Sequence, residues 1–195
     1  MAPLYGLVLA GGRSHRMGSD KGRMRWHEKE QRYWLADLLR GFCADVFISC
    51  RCDQYLEIAS HNYKVVTDEF EGAGPLGALV SAYHSINDAA LLVAACDLPF
   101  LDAPAVDHLV HQRNADAMAT VYKSPVDQLP EPLVAIWEPR AAPALQQAIY
   151  ANKLSLRLIL LQNSFCDVSP LNPRALLNVN TPDDYRKANV KMWEM

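Results

Sequence analysis

A glycine-rich, basic stretch follows the first apolar segment of the chain. It spans residues 9–22, reads LAGGRSHRMGSDKG, and contains Gly11, Gly12, Arg16 and Lys21. Glycines let the backbone approach a ligand closely, and successive N–H groups in such a turn can bind an anion. With mobile cationic side chains added, the stretch has the composition of a phosphate site. Taken alone, it fits a solvated loop with incidental charge equally well.

Two common phosphate-binding motifs do not account for this stretch. The P-loop pattern GxxxxGK[ST] fails, because Lys21 follows Asp20 and precedes Gly22. A literal GxGxxG occurs later, at residues 72–77, and Asp97 lies about 20 residues beyond it, as a dinucleotide fingerprint requires. However, the polar residues DEFE separate that motif from the preceding predicted strand. The dinucleotide interpretation also leaves residues 9–22 without a role, so we disfavour it.

Two acidic residues lie within two positions of the ends of predicted strands. Asp68 comes after residues 64–67 and Asp97 after residues 91–95. A carboxylate at the end of a buried strand is costly unless a cation or hydrogen bonds compensate it. Mg²⁺ bound to substrate phosphates needs only one or two protein carboxylates. Asp97 is the stronger candidate for this ion because Pro99 helps to end the strand there, whereas Asp68 could equally be a turn residue.

The elements that must position these residues alternate between strands and helices. Apolar runs predict strands, and helical spacing predicts helices between them. The predicted strands are residues 4–9, 45–50, 64–67, 91–95, 117–122 and 133–137, and the predicted helices are residues 33–42, 75–86, 104–112 and 139–150. This order indicates βαβ units, a mostly parallel sheet and helices on both faces. Ligands of such sheets bind at the carboxyl ends of the strands.

These patterns predict a single-domain, Rossmann-like, three-layer α/β fold over residues 1–195, with a proline-rich loop at residues 124–132. Half of the 195 residues are hydrophobic and the net charge is −3, which argues against a nucleic-acid or membrane-surface binder. No apolar run approaches the roughly 20 residues that span a bilayer, and the first residues lack the features of a signal peptide. We therefore expect a cytoplasmic protein.

The remaining chemistry-bearing residues have simpler interpretations. The five cysteines show no metal-site spacing and are expected to be buried free thiols in a reducing cytoplasm. His108 and His111 lie three apart on a predicted helix but have no third ligand nearby, so surface histidines are favoured over a metal pair. The tryptophans share no spacing and are expected to pack in the core or at an interface.

Four motifs together resemble a known family. The stretch LAGGRSHRMGSDK resembles the LAGG-x-S-x-RMG-x-DK signature of the MobA-like nucleotidyltransferases. The segments GPLGAL (residues 74–79), CDLPFL (96–101) and NVNTPDDY (178–185) resemble three further motifs of that family. The four occur in family order and span nearly the whole chain. The resemblance implies the nucleotide-diphospho-sugar transferase type of fold, and transfer of GMP from GTP to a molybdopterin cofactor phosphate, with Mg²⁺ and release of pyrophosphate.

The resemblance also implies a role for individual residues. Leu9, Ala10 and Gly11 would contact guanine and ribose through their backbone, Gly12 and Arg16 would hold the triphosphate, and Lys21 would lie near the α-phosphate. Ser49 stands where the family often has a base-contacting asparagine, Asp68 would help to bind the nucleotide, and Asp97 would bind Mg²⁺. Asn178 and Asn180 would close the site around the pterin-side phosphate or the metal. Arg16, Lys21 and Asp97 are the catalytic candidates.

Two departures from the family pattern lie towards the acceptor side. The segment after Lys21 lacks the usual Gly-Lys-Pro turn, and Glu131-Pro132 replaces the family's His-Pro. Alternatives therefore remain: cytidylyl transfer to the same pterin, nucleotidyl transfer to a sugar phosphate, or a non-catalytic module that binds nucleotide and docks onto other cofactor-assembly proteins. The LAGG motif favours guanylyl transfer, and the presence of Arg16, Lys21 and Asp97 together argues against the module.

Overall fold

The computed structural model describes residues 1–12 and 20–193, of which residues 187 and 189–193 are described by their backbone alone. Within this part of the chain one sheet contains β1 (Leu4–Leu9), β2 (Asp45–Cys50), β3 (Lys64–Thr67), β4 (Ala90–Ala95), β5 (Ala119–Lys123), β6 (Pro130–Trp137) and β7 (Phe165–Val168). The helices are α1 (Gln31–Leu39), α2 (Tyr55–Ser60), α3 (Gly74–Ser85), α4 (Ala103–His111), α5 (Ala142–Tyr150), α6 (Leu156–Leu161) and α7 (Pro182–Trp193).

The sheet has the strand order β3-β2-β1-β4-β6-β5-β7. β1 pairs in parallel with β2 and β4, and β5 pairs in parallel with β7. β6 runs antiparallel to both of its neighbours, β4 and β5. The prediction of a mostly parallel sheet is confirmed, and the carboxyl ends of β1, β2, β3 and β4 meet at one edge.

Alternate residues of the central strands bury their side chains in two separate cores. Leu7 of β1 and Leu91 of β4 pack in one core with α3, α5 and α6. Val8 and Leu92, one position along each strand, pack in the other core with α1, α2 and α4. A strand covered on both faces must be apolar throughout, which explains the unbroken apolar run of β4. The predicted three-layer architecture is confirmed.

The sequence patterns missed four elements and misplaced several boundaries, among them those of α1, which runs from Gln31 to Leu39 where residues 33–42 were predicted. α2, α6, β7 and α7 were not predicted. The predicted loop 124–132 is wrong in its last three residues, because β6 already begins at Pro130. There Glu131 pairs with Tyr122 beyond an irregularity in the register of β5 and β6. Prolines are tolerated at such irregularities, where the ladder of hydrogen bonds is already interrupted.

A buried ion pair fastens the edge of the sheet opposite the carboxyl ends of β1–β4. The Arg113 guanidinium lies 2.6 Å (Nε) and 2.9 Å (Nη2) from the two carboxylate oxygens of Glu138. The two side chains are 7% and 2% exposed. Nη2 also donates to the Ala2 carbonyl at 3.0 Å. Because Glu138 follows Trp137, which pairs with Leu91 near the start of β4, this bidentate pair lies at the amino edge of the parallel strands.

The cysteines of the described residues are all free thiols. Cys50 and Cys96 are buried, Cys43 and Cys166 are partly buried, and Cys52 is exposed, so the prediction of burial is wrong for Cys52. Burial raises the pKa of the Cys50 thiol to about 12. In the part of the chain that is described, we find no helix with the length and apolar character to cross a membrane.

Candidate functional site

A cavity of about 1120 Å³ opens at the edge where β1, β2, β3 and β4 end. Its wall combines the segments that follow these strands with the start of α3. The candidate residues that line the cavity are Leu9, Ala10, Gly11, Gly12, Lys21, Asp68, Asp97 and Asn180. Residues far apart in the sequence therefore share one site, as the carboxyl-end rule for parallel sheets predicts.

The backbone after β1 is held firmly against its neighbours. The Ala10 N–H donates to the Ser49 carbonyl at 2.9 Å. The Gly11 carbonyl accepts a hydrogen bond from Arg51 Nη1 at 3.0 Å. A Cβ added at Gly11 would lie 2.5 Å from Asp68 Oδ2, so any side chain here would collide with that carboxylate. Glycine at this position thus allows Asp68 to reach the cavity wall beside the first motif.

Ser49 lies behind Asp68. Ser49 is fully buried and does not line the cavity. Its hydroxyl donates to Asp68 Oδ1. Burial raises the pKa of the Asp68 carboxyl, while this hydrogen bond and the charge of Arg51 oppose the rise. The structure therefore places Ser49 where it orients an acidic side chain, whereas the resemblance implies a direct contact with the base.

The first, third and fourth motifs converge on Lys21. Its ammonium donates to Asn180 Oδ1 at 2.5 Å and lies 3.6 Å from Asp97 Oδ2. The Asp97 carbonyl accepts a hydrogen bond from the Val179 N–H at 2.8 Å, which fixes the C-terminal segment against the end of β4. This backbone contact is what brings Asn180 beside Lys21 and Asp97.

The Asp97 carboxylate is incompletely paired. Its Oδ1 atom is buried and has no hydrogen-bond partner among the residues that the structure describes. Burial raises the pKa of this carboxyl, and the nearby Lys21 charge opposes the rise. A buried carboxylate oxygen without a donor is costly, and a hard cation such as Mg²⁺ would compensate it.

The donor set fits a cation held largely by its substrate. Among the described residues no group of three or more His, Cys, Asp or Glu side chains is arranged to hold a metal ion. Mg²⁺ is commonly bound by one or two carboxylates together with substrate phosphates and water. Asp97 satisfies the protein's share of such a site.

The two asparagines of the C-terminal motif have different surroundings. Asn178 is exposed and does not line the cavity, whereas Asn180 does. The residues that follow form the cap of α7. Asp184 Oδ2 accepts from the N–H groups of Asn180 and Thr181 at 3.1 and 3.0 Å, and Thr181 Oγ1 accepts from the Asp184 N–H at 3.1 Å. Much of the motif thus serves to start a helix and aim Asn180.

The GxGxxG segment forms part of the cavity wall without being a dinucleotide fingerprint. Gly72 and Gly74 have φ angles of +82° and +58°, a left-handed conformation that favours glycine. Both residues and Pro75 line the cavity. The segment from Asp68 to Glu71 separates the motif from β3, as the sequence indicates.

The segment around Lys21 contains two features that the sequence did not reveal. Asp20 caps the short 3₁₀ turn of Lys21–Arg23, because its Oδ1 accepts from the Gly22 N–H at 2.9 Å. Its Oδ2 accepts from Gln54 Nε2 at 2.8 Å. Gln54 lies 34 residues further along the chain, directly before α2, so sequence reasoning had no signal for this contact.

A tight turn follows Lys21 although the segment lacks the family's Gly-Lys-Pro sequence. Arg25 and Glu30 form an isolated antiparallel bridge, and Glu28 between them has a φ angle of +59°. A non-glycine residue therefore adopts the left-handed conformation of a tight turn. Trp26 nearby packs against Tyr185 of α7 with the ring centroids 4.7 Å apart and the rings tilted by 48°, so the altered segment packs against the C-terminal helix.

Arg16 lies outside the described residues, so its predicted role stays a prediction. The histidine pair has ordinary structural partners: His108 Nδ1 is 3.1 Å from the Tyr122 hydroxyl, and His111 Nδ1 is 3.3 Å from Asp107 Oδ2. Trp137 is fully buried and its Nε1–H donates to the Pro132 carbonyl at 3.1 Å. These residues belong to packing and to the surface.

Comparison with known sequences identifies relatives over most of the chain. Residues 6–164 match the profile of the MobA-like NTP transferase domain. The molybdenum cofactor biosynthesis bifunctional protein of Synechocystis sp. is 33% identical over 190 residues, which cover 96% of this chain and 54% of that protein. This chain therefore spans about half the length of that relative. The probable molybdenum cofactor guanylyltransferase of Methanothermobacter thermautotrophicus is 30% identical, over 92% of this chain and 95% of that protein.

Solved structures share the fold. The molybdopterin-guanine dinucleotide biosynthesis protein A of Archaeoglobus fulgidus superposes with a TM-score of 0.81 at 24% identity, covering 98% of this chain and 100% of that one. The CMP:2-keto-3-deoxy-manno-octonic acid synthetase, solved with CTP, superposes with a TM-score of 0.73 at 13% identity, covering 99% of each chain. The predicted nucleotidyltransferase type of fold is confirmed.

Proposed function

We propose, from the premise that this chain belongs to the MobA-like NTP transferase family and is a nucleotidyltransferase, that it transfers GMP from GTP to the phosphate of a molybdopterin cofactor. The names of its relatives support this choice of substrates. The observation that carries the proposal is the convergence of Lys21, Asp97 and Asn180 at the cavity that the first motif lines. No observation favours a cytidylyl, sugar-phosphate or binding-only alternative.

The proposed reaction is an in-line displacement at phosphorus. An oxygen of the acceptor phosphate forms a bond to the α-phosphorus of GTP, and the bond from that phosphorus to the bridging oxygen breaks, so that pyrophosphate leaves with the electron pair. An acceptor that is already a phosphate dianion needs no general base. The protein therefore contributes mainly position and neutralisation of charge.

Lys21 is the residue we assign to the α-phosphate. Its ammonium is held between Asn180 Oδ1 and Asp97 Oδ2, at 2.5 and 3.6 Å, on the cavity wall. An oriented cation at the point where negative charge develops stabilises the transition state more than the ground state. Asn180 positions Lys21 by accepting its hydrogen bond, while Gly12 and Arg16 are assigned to the outer phosphates by resemblance.

Asp97 is the residue we assign to Mg²⁺. When bound there, the ion would supply positive charge to the phosphate oxygens and to the leaving pyrophosphate. The Oδ1 atom of Asp97, buried and without a hydrogen-bond partner among the described residues, is the oxygen available to it. The Lys21 ammonium, next to Oδ2, opposes the rise that burial causes in the pKa of this carboxyl.

We assign the recognition of guanine mainly to Asp68. The LAGG motif suggests backbone recognition, but the Ala10 N–H already donates to Ser49 and the Gly11 carbonyl already accepts from Arg51. The Asp68 carboxylate, on the wall beside Gly11, offers acceptors to the N1–H and N2–H donors of guanine. Adenine presents an acceptor at N1, so binding it would place this acceptor against an acceptor oxygen of Asp68.

The test is pyrophosphate release from GTP in the presence of molybdopterin and Mg²⁺, alongside calorimetric titration of GTP, ATP and CTP. We expect release that requires the pterin, and a preference for GTP on the order of a hundredfold, since two buried mismatches cost roughly 1–3 kcal/mol each. Asp68→Asn should lose most of that preference, whereas Asp53→Asn, on the same wall, should keep it. GTP binding without release would favour the binding module, and tighter CTP would defeat the guanine assignment.

We also propose that the reaction takes place in the cytoplasm, because free thiols are typical of reducing compartments. If another cofactor-assembly protein delivers the molybdopterin, the two proteins must contact each other. Such contacts stay a prediction.

A further inference from the structure

A second, smaller cavity of about 250 Å³ adjoins the main one. The two share Pro75 and Leu133 on their walls. The smaller cavity lies between the start of β6 and the start of α6. In the sheet, β6 neighbours β4 on the side away from β1. The smaller cavity and the segments assigned to the nucleotide, which follow β1 and β3, therefore lie on opposite sides of Asp97. A molecule that attacks a nucleotide held over β1 and β3 would approach from this side.

Glu131 supplies a buried carboxylate to the smaller cavity. The residue is 9% exposed, and burial raises the pKa of its carboxyl while the charge of Arg157 opposes the rise. Arg157 lies in the same wall, with Nη2 3.4 Å from Glu131 Oε2. Arg157 is itself fixed, because its Nε donates to the Pro130 carbonyl at 3.0 Å and its Nη1 to Asp127 Oδ2 at 2.8 Å. Arg157 therefore holds the Glu131 carboxylate in place, and the oxygens of that carboxylate retain lone pairs that can accept from a ligand.

We propose that Glu131 binds the pterin ring of the acceptor, with its two carboxylate oxygens accepting from the adjacent N2–H and N3–H donors of that ring, and that Arg157 positions Glu131. This inference rests on the proposed function, because it takes the acceptor to be a pterin. Two parallel donors on a flat ring match the fork of a carboxylate, as the guanidinium of arginine does. A histidine, which the resembled family has here, cannot present two parallel acceptors.

Charge and size decide which end of the acceptor faces Glu131. A carboxylate repels the acceptor's phosphate, which instead has the Lys21 ammonium available in the main cavity. The smaller cavity lies below the roughly 300–1,000 Å³ typical of sites for drug-sized ligands, a size that suits a ring system and not a whole nucleotide. The ring therefore enters the smaller cavity and the phosphate points to Asp97 and Lys21.

The experiment compares two fluorescent probes, pterin and lumazine, titrated into the full chain saturated with GTP and Mg²⁺. Lumazine carries an oxo group where pterin carries the 2-amino group, so it presents one donor and one acceptor at that edge. We expect the wild-type chain to prefer pterin by on the order of tenfold or more, since the mismatch leaves a buried polar group unpaired. Glu131→Gln presents an amide with one donor and one acceptor, and should reverse the preference.

Asp167→Asn is the matched control, because Asp167 is exposed, pairs with Lys123 and lines neither cavity; it should keep the wild-type preference. Equal affinity of the wild-type chain for both probes, or no saturable binding of either, overturns the assignment even if Glu131→Gln does not fold. An unchanged preference in folded Glu131→Gln overturns it as well. Pyrophosphate release from GTP and molybdopterin reports separately on the proposed function, so the two failures are distinguishable.

Discussion

Two buried carboxylates lie at opposite edges of the same sheet and differ in how completely the protein pairs them. Glu138, at the amino edge of the parallel strands, has both oxygens bound by one guanidinium, at 2.6 and 2.9 Å from Arg113. Asp97, at the carboxyl edge, has the Lys21 ammonium at 3.6 Å from one oxygen and no hydrogen-bond partner for the other among the described residues. One acid is satisfied by the fold, and the other is left for a ligand.

The difference shows where the chain keeps unsatisfied charge. A buried carboxylate that is paired and hydrogen-bonded can be tolerated, and removal of its partner is strongly destabilising. A buried carboxylate that is incompletely paired lowers stability until a ligand completes it, which is the usual cost of a functional site. The same substitution of acid by amide should therefore have different consequences at Asp97 and at Glu138.

The largest expected effect is on the activity of Asp97→Asn. The change is nearly isosteric and removes the charge that would hold the cation, so we expect turnover to fall on the order of 10³-fold with the fold retained. Pyrophosphate release as a function of Mg²⁺ concentration measures this effect, and circular dichroism checks the fold. A rate near that of the wild type at limiting Mg²⁺ would remove Asp97 from the site.

Glu138→Gln should show the reverse pattern. Loss of the carboxylate leaves the Arg113 charge buried, and we expect the free energy of unfolding to fall by about 3 kcal/mol. Turnover per folded molecule should stay near that of the wild type, because Glu138 lies at the edge away from the cavity. Urea denaturation together with the release assay tests both halves. A loss of activity without a loss of stability would contradict the structural role of the pair.

Lys21→Ala tests whether the cation at the carboxyl edge acts on the transition state or on GTP binding. If the ammonium meets charge that grows in the transition state, its loss should lower kcat on the order of 10²-fold and change GTP affinity less. Steady-state kinetics with calorimetric GTP binding separate the two effects. A raised KM with an unchanged kcat would place Lys21 in ground-state binding instead.

The smallest effect is the dependence of stability on pH without Mg²⁺. The folded-state pKa of Asp97 is raised by burial above its ordinary value of about 3.9, so the folded wild type binds this proton more tightly than the unfolded chain. Its free energy of unfolding should therefore fall, relative to that of Asp97→Asn, as pH rises from 4 to 7. The raised pKa of Asp68 is common to both proteins and cancels. Part of the rise at Glu131 comes from the Asp97 charge and is lost in the variant, so it changes the difference in the same direction. If the difference in free energy of unfolding between the two proteins does not change with pH, burial does not raise the pKa of Asp97.

The sequence predicted the central sheet well because its strands are unambiguous. β1, β2 and β3 have the predicted limits, and β4 differs by one residue. Each is a short, apolar or alternating run between clear turn signals. The missed elements are short, as in α2 and α6, or polar, as in α7. Their stability comes from packing against the sheet and from caps such as Asp184, which periodicity does not report.

The candidate site was predictable as a set of residues but not as a geometry. Asp97 and Lys21 could be singled out because each follows a strand in a recognisable pattern. The placement of Ser49 behind Asp68, and the exposure of Asn178 beside a cavity-lining Asn180, depend on which way each side chain leaves the backbone. Glu28 took up a tight turn without glycine because the bridge of Arg25 and Glu30 holds it there.

By itself, the sequence determined the alternation of strands and helices, the edge at which the site lies, and the acids and cations placed there, since these follow from local patterns of polarity. Tertiary structure alone decided which of those groups are satisfied. Asp97 and Glu138 are both acids at strand ends in the sequence. They differ because β6 runs antiparallel to β4, which carries Glu138 to Arg113 at one edge, while Val179 binds the backbone of Asp97 at the other and leaves its carboxylate facing Lys21 and the cavity. The pairing of buried charges depends on distances between residues that are far apart in the sequence. Those distances are set by the fold and cannot be read from the order of residues along the chain.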